Sequence, residues 1–438
     1  MSTLTLSLTS VAAMLVLIGL RVPIGVAMGV VAFGGFWYLR NFTVALSTLA
    51  DTPFVFAANW ELSAIPMFLL MGAIASNSGI GTGLFRAAHA WFSGLPGGLA
   101  VATNWACAGF GAASGSSVAA AGTMARVAVP EMLKQKYDEG LATGVVASGG
   151  TLDALIPPSI LFVIYGVFAE VSVSKLLIAG ILPGLLTATI YMLMIVIRCR
   201  LNPSLAPPVV FADRGALWRE RWASLWQIWP ILLLIFGVMG GLYVGAVTPT
   251  EGGAVGAFLA ALIGVLRRQL SLKGFIDALK DAIATSAQLF FVGIGAVLFA
   301  RFLALAGAAD MFTELIGQWA VDPLLLVIAI SIIYIIPGTA LDPLGMVLLT
   351  IPVFVPMISA LGLDLVWFGV IVVKYVGISL LTPPVGFNIY VVASATGNTI
   401  PLRTIYRGCY WFLACEVVIM TLLIAFPQIS LWLPAAMK

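Results

Sequence analysis

The run Ser148-Gly-Gly-Thr-Leu-Asp-Ala-Leu-Ile-Pro-Pro-Ser-Ile-Leu-Phe-Val-Ile-Tyr165 decides the fold, and it has a counterpart in Tyr375-Val-Gly-Ile-Ser-Leu-Leu-Thr-Pro-Pro-Val-Gly-Phe-Asn-Ile-Tyr390. Each is apolar and helix-length, yet each is interrupted by glycine and then by a proline pair, Pro157-Pro158 or Pro383-Pro384. Proline removes a backbone donor, clashes with the preceding turn and drives the residue before it out of the helical region. Both segments are therefore expected to be broken helices. Their freed carbonyls and amides need polar company, and the expected company is cations and a carboxylate.

The surrounding chain says where such a break lies. Of 438 residues, 61% are hydrophobic and 9% charged, against roughly 25% charged in soluble domains. This is the composition of an all-α polytopic membrane protein. A net charge of +3 leaves no basic field for nucleic acid. Cys107, Cys199, Cys409 and Cys415 have neither Cys-x-x-Cys spacing nor histidine neighbours, and read as small packing residues. No Gly-x-x-x-x-Gly-Lys-Ser/Thr loop is present, which removes the ATP-driven reading, and no organic cofactor is expected.

A span needs about 20 apolar residues, whereas runs of 10 to 14 more often re-enter. On that rule spans fall near 4–20, 22–39, 62–78, 141–170 (broken) and 176–198. After a polar, proline-containing segment, 201–227, the pattern restarts near 228–245, 248–266, 284–305, 365–395 (broken) and 408–432, ten crossings in all. Two regions fit no crossing. Arms at 99–111 and 118–129, joined by 112–117, predict a re-entrant hairpin, and arms at 324–336 and 346–358, joined by 337–345, predict another. Trp218, Trp222, Trp226 and Trp229, alternating with Arg219, Glu220 and Arg221, read as an amphipathic helix at the interface.

The pattern repeats. Pro23 and Pro249 are 226 positions apart, as are Pro157 and Pro383. Each copy holds five spans and one hairpin, and an odd number of crossings forces the second copy to run inverted. The charges agree with this. Arg21 follows the first span and nothing basic precedes it, which suits a retained helix with an outer N-terminus. With the N-terminus outside, sixteen Lys and Arg residues fall inside, while only Arg40, Lys175 and Lys438 fall outside. Both termini then face the outer side.

If each hairpin tip reaches the midplane beside the break of its own copy, Ser114, Ser116 and Ser117 meet Gly149, Gly150 and Thr151. Likewise Gly338, Thr339 and Asp342 meet Gly377 and Ser379. Hydroxyls, free carbonyls and helix ends suit Na⁺, and half-helix N-termini suit a carboxylate. Serine and glycine at such places also serve close packing, but two matched copies beside proline breaks favour ion sites. Asp342 is the leading functional carboxylate, since its charge at membrane depth is costly without a partner. Candidates for the substrate side are Asn388, Asp153 and the cations Lys374 and Arg301, together with the breaks at Pro158 and Pro384. Asp153 is equally a capping residue, and Lys374 and Arg301 equally pair with Asp310 or Glu314 or snorkel. Asn398 is also polar near the second break. His89, the one histidine, reads as interfacial. A serine-nucleophile role for Ser114 lacks a general base in reach.

The runs Ser-Gly-Ser-Ser-Val-Ala-Ala-Ala-Gly-Thr-Met-Ala-Arg-Val-Ala-Val-Pro-Glu-Met (114–132), Leu-Ala-Thr-Gly-Val-Val-Ala-Ser-Gly-Gly-Thr-Leu (141–152) and Ile-Pro-Pro-Ser-Ile (156–160) closely resemble the large membrane subunit of tripartite ATP-independent periplasmic (TRAP) transporters. So do Ile-Ala-Gly-Ile-Leu-Pro-Gly (178–184) and Thr-Pro-Thr-Glu-Gly-Gly-Ala-Val-Gly (248–256). The resemblance implies a bacterial inner-membrane, Na⁺-coupled importer of organic acids such as a C4-dicarboxylate or sialic acid, embedded in lipid. It implies two partners, a small membrane subunit of Q type on a separate chain and a periplasmic substrate-binding protein of P type. It further implies an elevator mechanism in which a transport domain (62–170 and 284–395) moves against scaffold helices (1–61, 171–283 and 396–438). By motif, the sodium sites fall on Ser114–Ser117 with Gly149–Thr151, and on 338–342 with 377–379. Asp153 stands where a small or apolar residue is expected. The alternatives are a stand-alone divalent-anion/Na⁺ symporter of related fold, or a channel or assembly subunit.

Overall fold

The computed structural model describes residues 3–78, 80–207, 214–307, 323–338 and 343–437. Among them the regular structure is helical throughout. Large apolar side chains such as Val16, Phe236, Phe258 and Val417 are more than half exposed. An apolar surface of that kind needs lipid, not water, around it.

Both proline-paired segments break. The first runs as Glu139–Gly149, a single turn Leu152–Leu155, an extended link through Ile156 and Ser159, and then Ile160–Phe168. Its two halves are bent by 41°. The second runs as Leu365–Ser379 and resumes at Phe387–Ala395 after Gly386, whose φ of 57° suits glycine. Residues 140–155 and 367–381 are buried without exception, so the helical stretches leading into the breaks lie in the core; the first break stays largely buried, whereas Pro383 and Pro384 of the second are exposed.

The same spacing recurs in the helix ends. Asp138 caps the first broken helix, accepting the Leu141 amide at 2.8 Å, and Asp364, 226 positions on, caps the second by accepting the Val366 and Trp367 amides at 2.7 and 3.0 Å. Ser117–Lys134 and Pro343–Ala360 begin and end with the same offset. A carboxylate at an N-cap satisfies free amides and favours the positive helix end, so each Asp fixes where its broken helix starts.

The hairpin arms are longer than the sequence suggests. The first pair is Gly98–Ser114 and Ser117–Lys134, about 25 Å each at 1.5 Å per residue. The chain turns back at Gly115, whose φ is 61°. The second arm continues through Pro130 to Lys134, past the expected end at 129. The second pair is Pro323–Gly338 and Pro343–Ala360.

The spans differ from the expected ten. Among the described residues six helices are long and apolar enough to cross, or eight if each of two bent pairs is one span. The first two helices, Thr3–Gly19 and Ile24–Leu39, have 17 and 16 residues. One helix, Phe42–Ala57, was not expected from sequence because Thr43, Ser47, Thr48, Asp51 and Pro53 make it look polar. Ser47, Thr48 and Thr52 turn their hydroxyls back onto carbonyls one turn earlier at 2.6 to 3.1 Å, which hides that polarity inside the helix. The interfacial tryptophan stretch and the following span form one helix, Arg214–Tyr243. Leu272–Leu305 runs 34 residues, about 51 Å, well past the membrane core.

Candidate functional site

The two breaks touch. Asn388, from the second, is fully buried and donates its Nδ2 to the Ala147 carbonyl of the first at 3.2 Å. A Cβ built on Gly377 would stand 3.4 Å from Thr151 Cβ. Thr151 and Gly377 are themselves 226 positions apart, so equivalent positions of the two segments face one another. The first hairpin joins them. A Cβ on Gly150 would meet Ala121 Cβ at 2.9 Å, Asn388 Nδ2 at 3.1 Å and the Ser117 carbonyl at 3.2 Å, and one on Gly115 would lie 3.4 Å from the Pro158 carbonyl. Glycine at 150 is what allows hairpin, first break and second break to approach.

Both broken segments carry buried oxygens without a donor among the described residues. Asp153 sits on the single turn between the glycines and the prolines, 1% exposed, with its backbone against Gly111 of the first arm. Neither carboxylate oxygen has a hydrogen-bond partner among the described residues, nor does Asn388 Oδ1. Thr151 Oγ1 donates to the Ser148 carbonyl at 2.7 Å, and Ser379 Oγ to that of Val376 at 2.7 Å. A buried acceptor without a donor is costly.

The remaining sequence candidates fall as follows. Ser114 ends the first arm, and Ser116 caps the second by accepting the Ala119 amide at 3.4 Å. Gly149 packs on Cys107. Gly338 ends the third arm, while Thr339, Asp342, Asp310 and Glu314 lie outside the described residues. Pro384 is exposed, and its carbonyl accepts the Tyr406 hydroxyl at 2.9 Å. Arg301 is exposed and donates to Thr52 Oγ1 at 3.0 Å. Lys374 is buried, and its ammonium lies 2.7 Å from Glu416 Oε1 and 3.1 Å from Thr187 Oγ1. The Tyr191 hydroxyl donates to the same Glu416 oxygen.

That network was missed in the sequence, although Glu416 is the one acidic residue of the helix Leu402–Ala425. An intramembrane carboxylate in a chain with an intramembrane lysine is a pairing signal. The pair ties the second broken helix to Leu402–Ala425, and Thr187 and Tyr191 tie both to Ile181–Leu201.

Helices enough for several crossings and an apolar exterior define a multi-pass membrane protein. Residues 11–429 match the family "Tripartite ATP-independent periplasmic transporter, DctM component", and the chain belongs to it. It is 34% identical over 392 residues to the C4-dicarboxylate TRAP transporter large permease protein DctM of Pseudomonas aeruginosa, covering 89% of this chain and 90% of that one. It is 33% identical to the sialic acid TRAP transporter large permease protein SiaM of Vibrio cholerae, covering 86% of each. The ectoine/5-hydroxyectoine large permease UehC of Ruegeria pomeroyi is 31% identical over 96% of each chain. In fold, the chain is similar to the Alcanivorax borkumensis YdaH transporter, with a TM-score of 0.61 at 15% identity over 87% of this chain and 88% of that one. Neisseria gonorrhoeae MtrF gives 0.60 at 14%, over 88% and 85%.

Proposed function

We propose that this chain is the large permease subunit of a Na⁺-coupled importer of organic acids in the bacterial inner membrane. The observation that carries the reading is that each broken segment holds buried oxygens without a donor among the described residues, those of Asp153 on the first and Asn388 Oδ1 on the second, and that the two segments are in contact. Na⁺ is a hard cation that prefers oxygen. Asp153 was grouped with the substrate candidates from sequence, but its charge repels a carboxylate and suits the cation. The large permeases named for C4-dicarboxylates and sialic acid point to a carboxylate as cargo. Each Na⁺ moved inward gains about 2.3 kcal/mol per 100 mV, so two would supply about 4.6 kcal/mol, roughly a thousandfold accumulation of a neutral load.

In this reading the two copies are inverted repeats with both termini outside, and the breaks ride in a domain that moves as an elevator. The Lys374–Glu416 pair adjusts where that domain ends. A buried pair costs about 3–5 kcal/mol to break, so Leu402–Ala425 and Ile181–Leu201 belong with the moving body and not with the scaffold to which sequence consigned them. The partners are a small Q-type membrane subunit and a P-type periplasmic binding protein. Proteoliposomes holding the chain and its small partner, supplied with binding protein, test this. Uptake should collapse without a Na⁺ gradient. Uptake driven equally by a proton gradient alone would refute the coupling, and uptake by the chain alone would favour a stand-alone symporter.

A further inference from the structure

A second polar site lies away from the breaks. The ends of the helices Glu139–Gly149, Ile181–Leu201 and Leu402–Ala425 enclose a cavity of about 470 Å³, lined by Asp138, Arg198, Asn202, Thr404, Arg407 and Trp411 among others. Its floor is a backbone crossing, since a Cβ on Gly408 would fall 1.9 Å from the Gly140 carbonyl. Arg198 holds its guanidinium 4.5 Å above the Trp411 ring, and its Nη1 is buried with no hydrogen-bond partner among the described residues. Arg407 stands exposed at the opening. The one carboxylate present, Asp138, has Oδ1 engaged by the Leu141 amide and makes no ion pair with either arginine among the described residues. Two guanidiniums against one carboxylate, with a buried donor unspent, select an anion.

We infer that this cavity binds the phosphate of an anionic phospholipid headgroup. The rim favours lipid over a free anion: Leu201 is 80% and Trp411 51% exposed, an apolar edge along which an acyl chain can lie. Basic pockets between helices on the cytoplasmic side hold headgroups in this way, and tryptophan marks the interfacial level. The Lys and Arg bias of the sequence puts this end inside, facing the anionic leaflet. The site is independent of which ion or solute the breaks carry.

The test uses the purified full chain in neutral detergent, with calorimetric titration of short-chain phosphatidylglycerol, short-chain phosphatidylcholine and inorganic phosphate. Phosphatidylglycerol should bind at least tenfold more tightly than either of the others. Arg198→Gln with Arg407→Gln should remove that preference. Arg407→Gln alone, at an exposed position, should weaken it severalfold and keeps the test decisive if the double variant misfolds. Unchanged phosphatidylglycerol affinity in the variants, or inorganic phosphate binding as tightly, would overturn the inference.

Discussion

Asn388 on the second broken helix donates to the Ala147 carbonyl on the first at 3.2 Å, across 241 positions of sequence. Its other amide atom, Oδ1, is buried without a donor. One side chain thus ties the two broken segments together and keeps a buried oxygen without a donor. Asn388→Leu should keep the packing volume but lose both. We expect Na⁺-dependent uptake to fall at least a hundredfold, with membrane insertion unchanged on a protease-protection gel.

Gly150 is the point of closest approach. A single added methyl would press on Ala121 and on the Ser117 carbonyl, and overpacking of that kind costs about 1–3 kcal/mol. Gly150→Ala should lower the thermal midpoint in detergent and weaken Na⁺ dependence. Gly150→Leu should abolish uptake in a protein that still inserts. Full uptake by the leucine variant would count against the site.

Asp153 gives a prediction with opposite signs in two assays. Without Na⁺ its buried carboxylate is unpartnered, so Asp153→Asn should raise the melting temperature in Na⁺-free buffer. With Na⁺ the variant should gain less from the ion, and half-saturation should move to concentrations at least tenfold higher. A stability loss in Na⁺-free buffer would contradict this account.

For Lys374 and Glu416, removing one partner strands the other charge, at about 3–5 kcal/mol. Replacing both by apolar residues of similar volume is close to neutral by the same reasoning. Lys374→Met and Glu416→Leu should each destabilise strongly, and the double variant should recover most of the loss in a chemical unfolding titration. Additive losses would mean that the two side chains do not act as a pair.

Much of this arrangement was legible in the sequence because proline, glycine and spacing are local signals. The Pro-Pro pairs gave the breaks, the 226-residue offset of the prolines gave the repeat, which the caps at Asp138 and Asp364 also follow, and the 112–117 link gave the first hairpin tip. What escaped depends on neighbours that are distant in sequence. Phe42–Ala57 looked too polar until its hydroxyls were seen bonded back to its own carbonyls. Lys374 reads as meeting substrate or pairing with Asp310 or Glu314, because nothing local points to Glu416, 42 residues away. Asp153 reads in the sequence as either a site residue or a capping residue, and local sequence does not show that its two oxygens are buried without a donor.

The central claim is that one cation site needs both breaks. Equilibrium binding of radiolabelled Na⁺ to the purified chain, with no partner or substrate present, tests it most directly. Saturable binding is expected in the unmodified chain, and Gly150→Leu in the first break and Gly377→Leu in the second should each remove it. Na⁺ binding that survives either substitution undiminished would contradict the account.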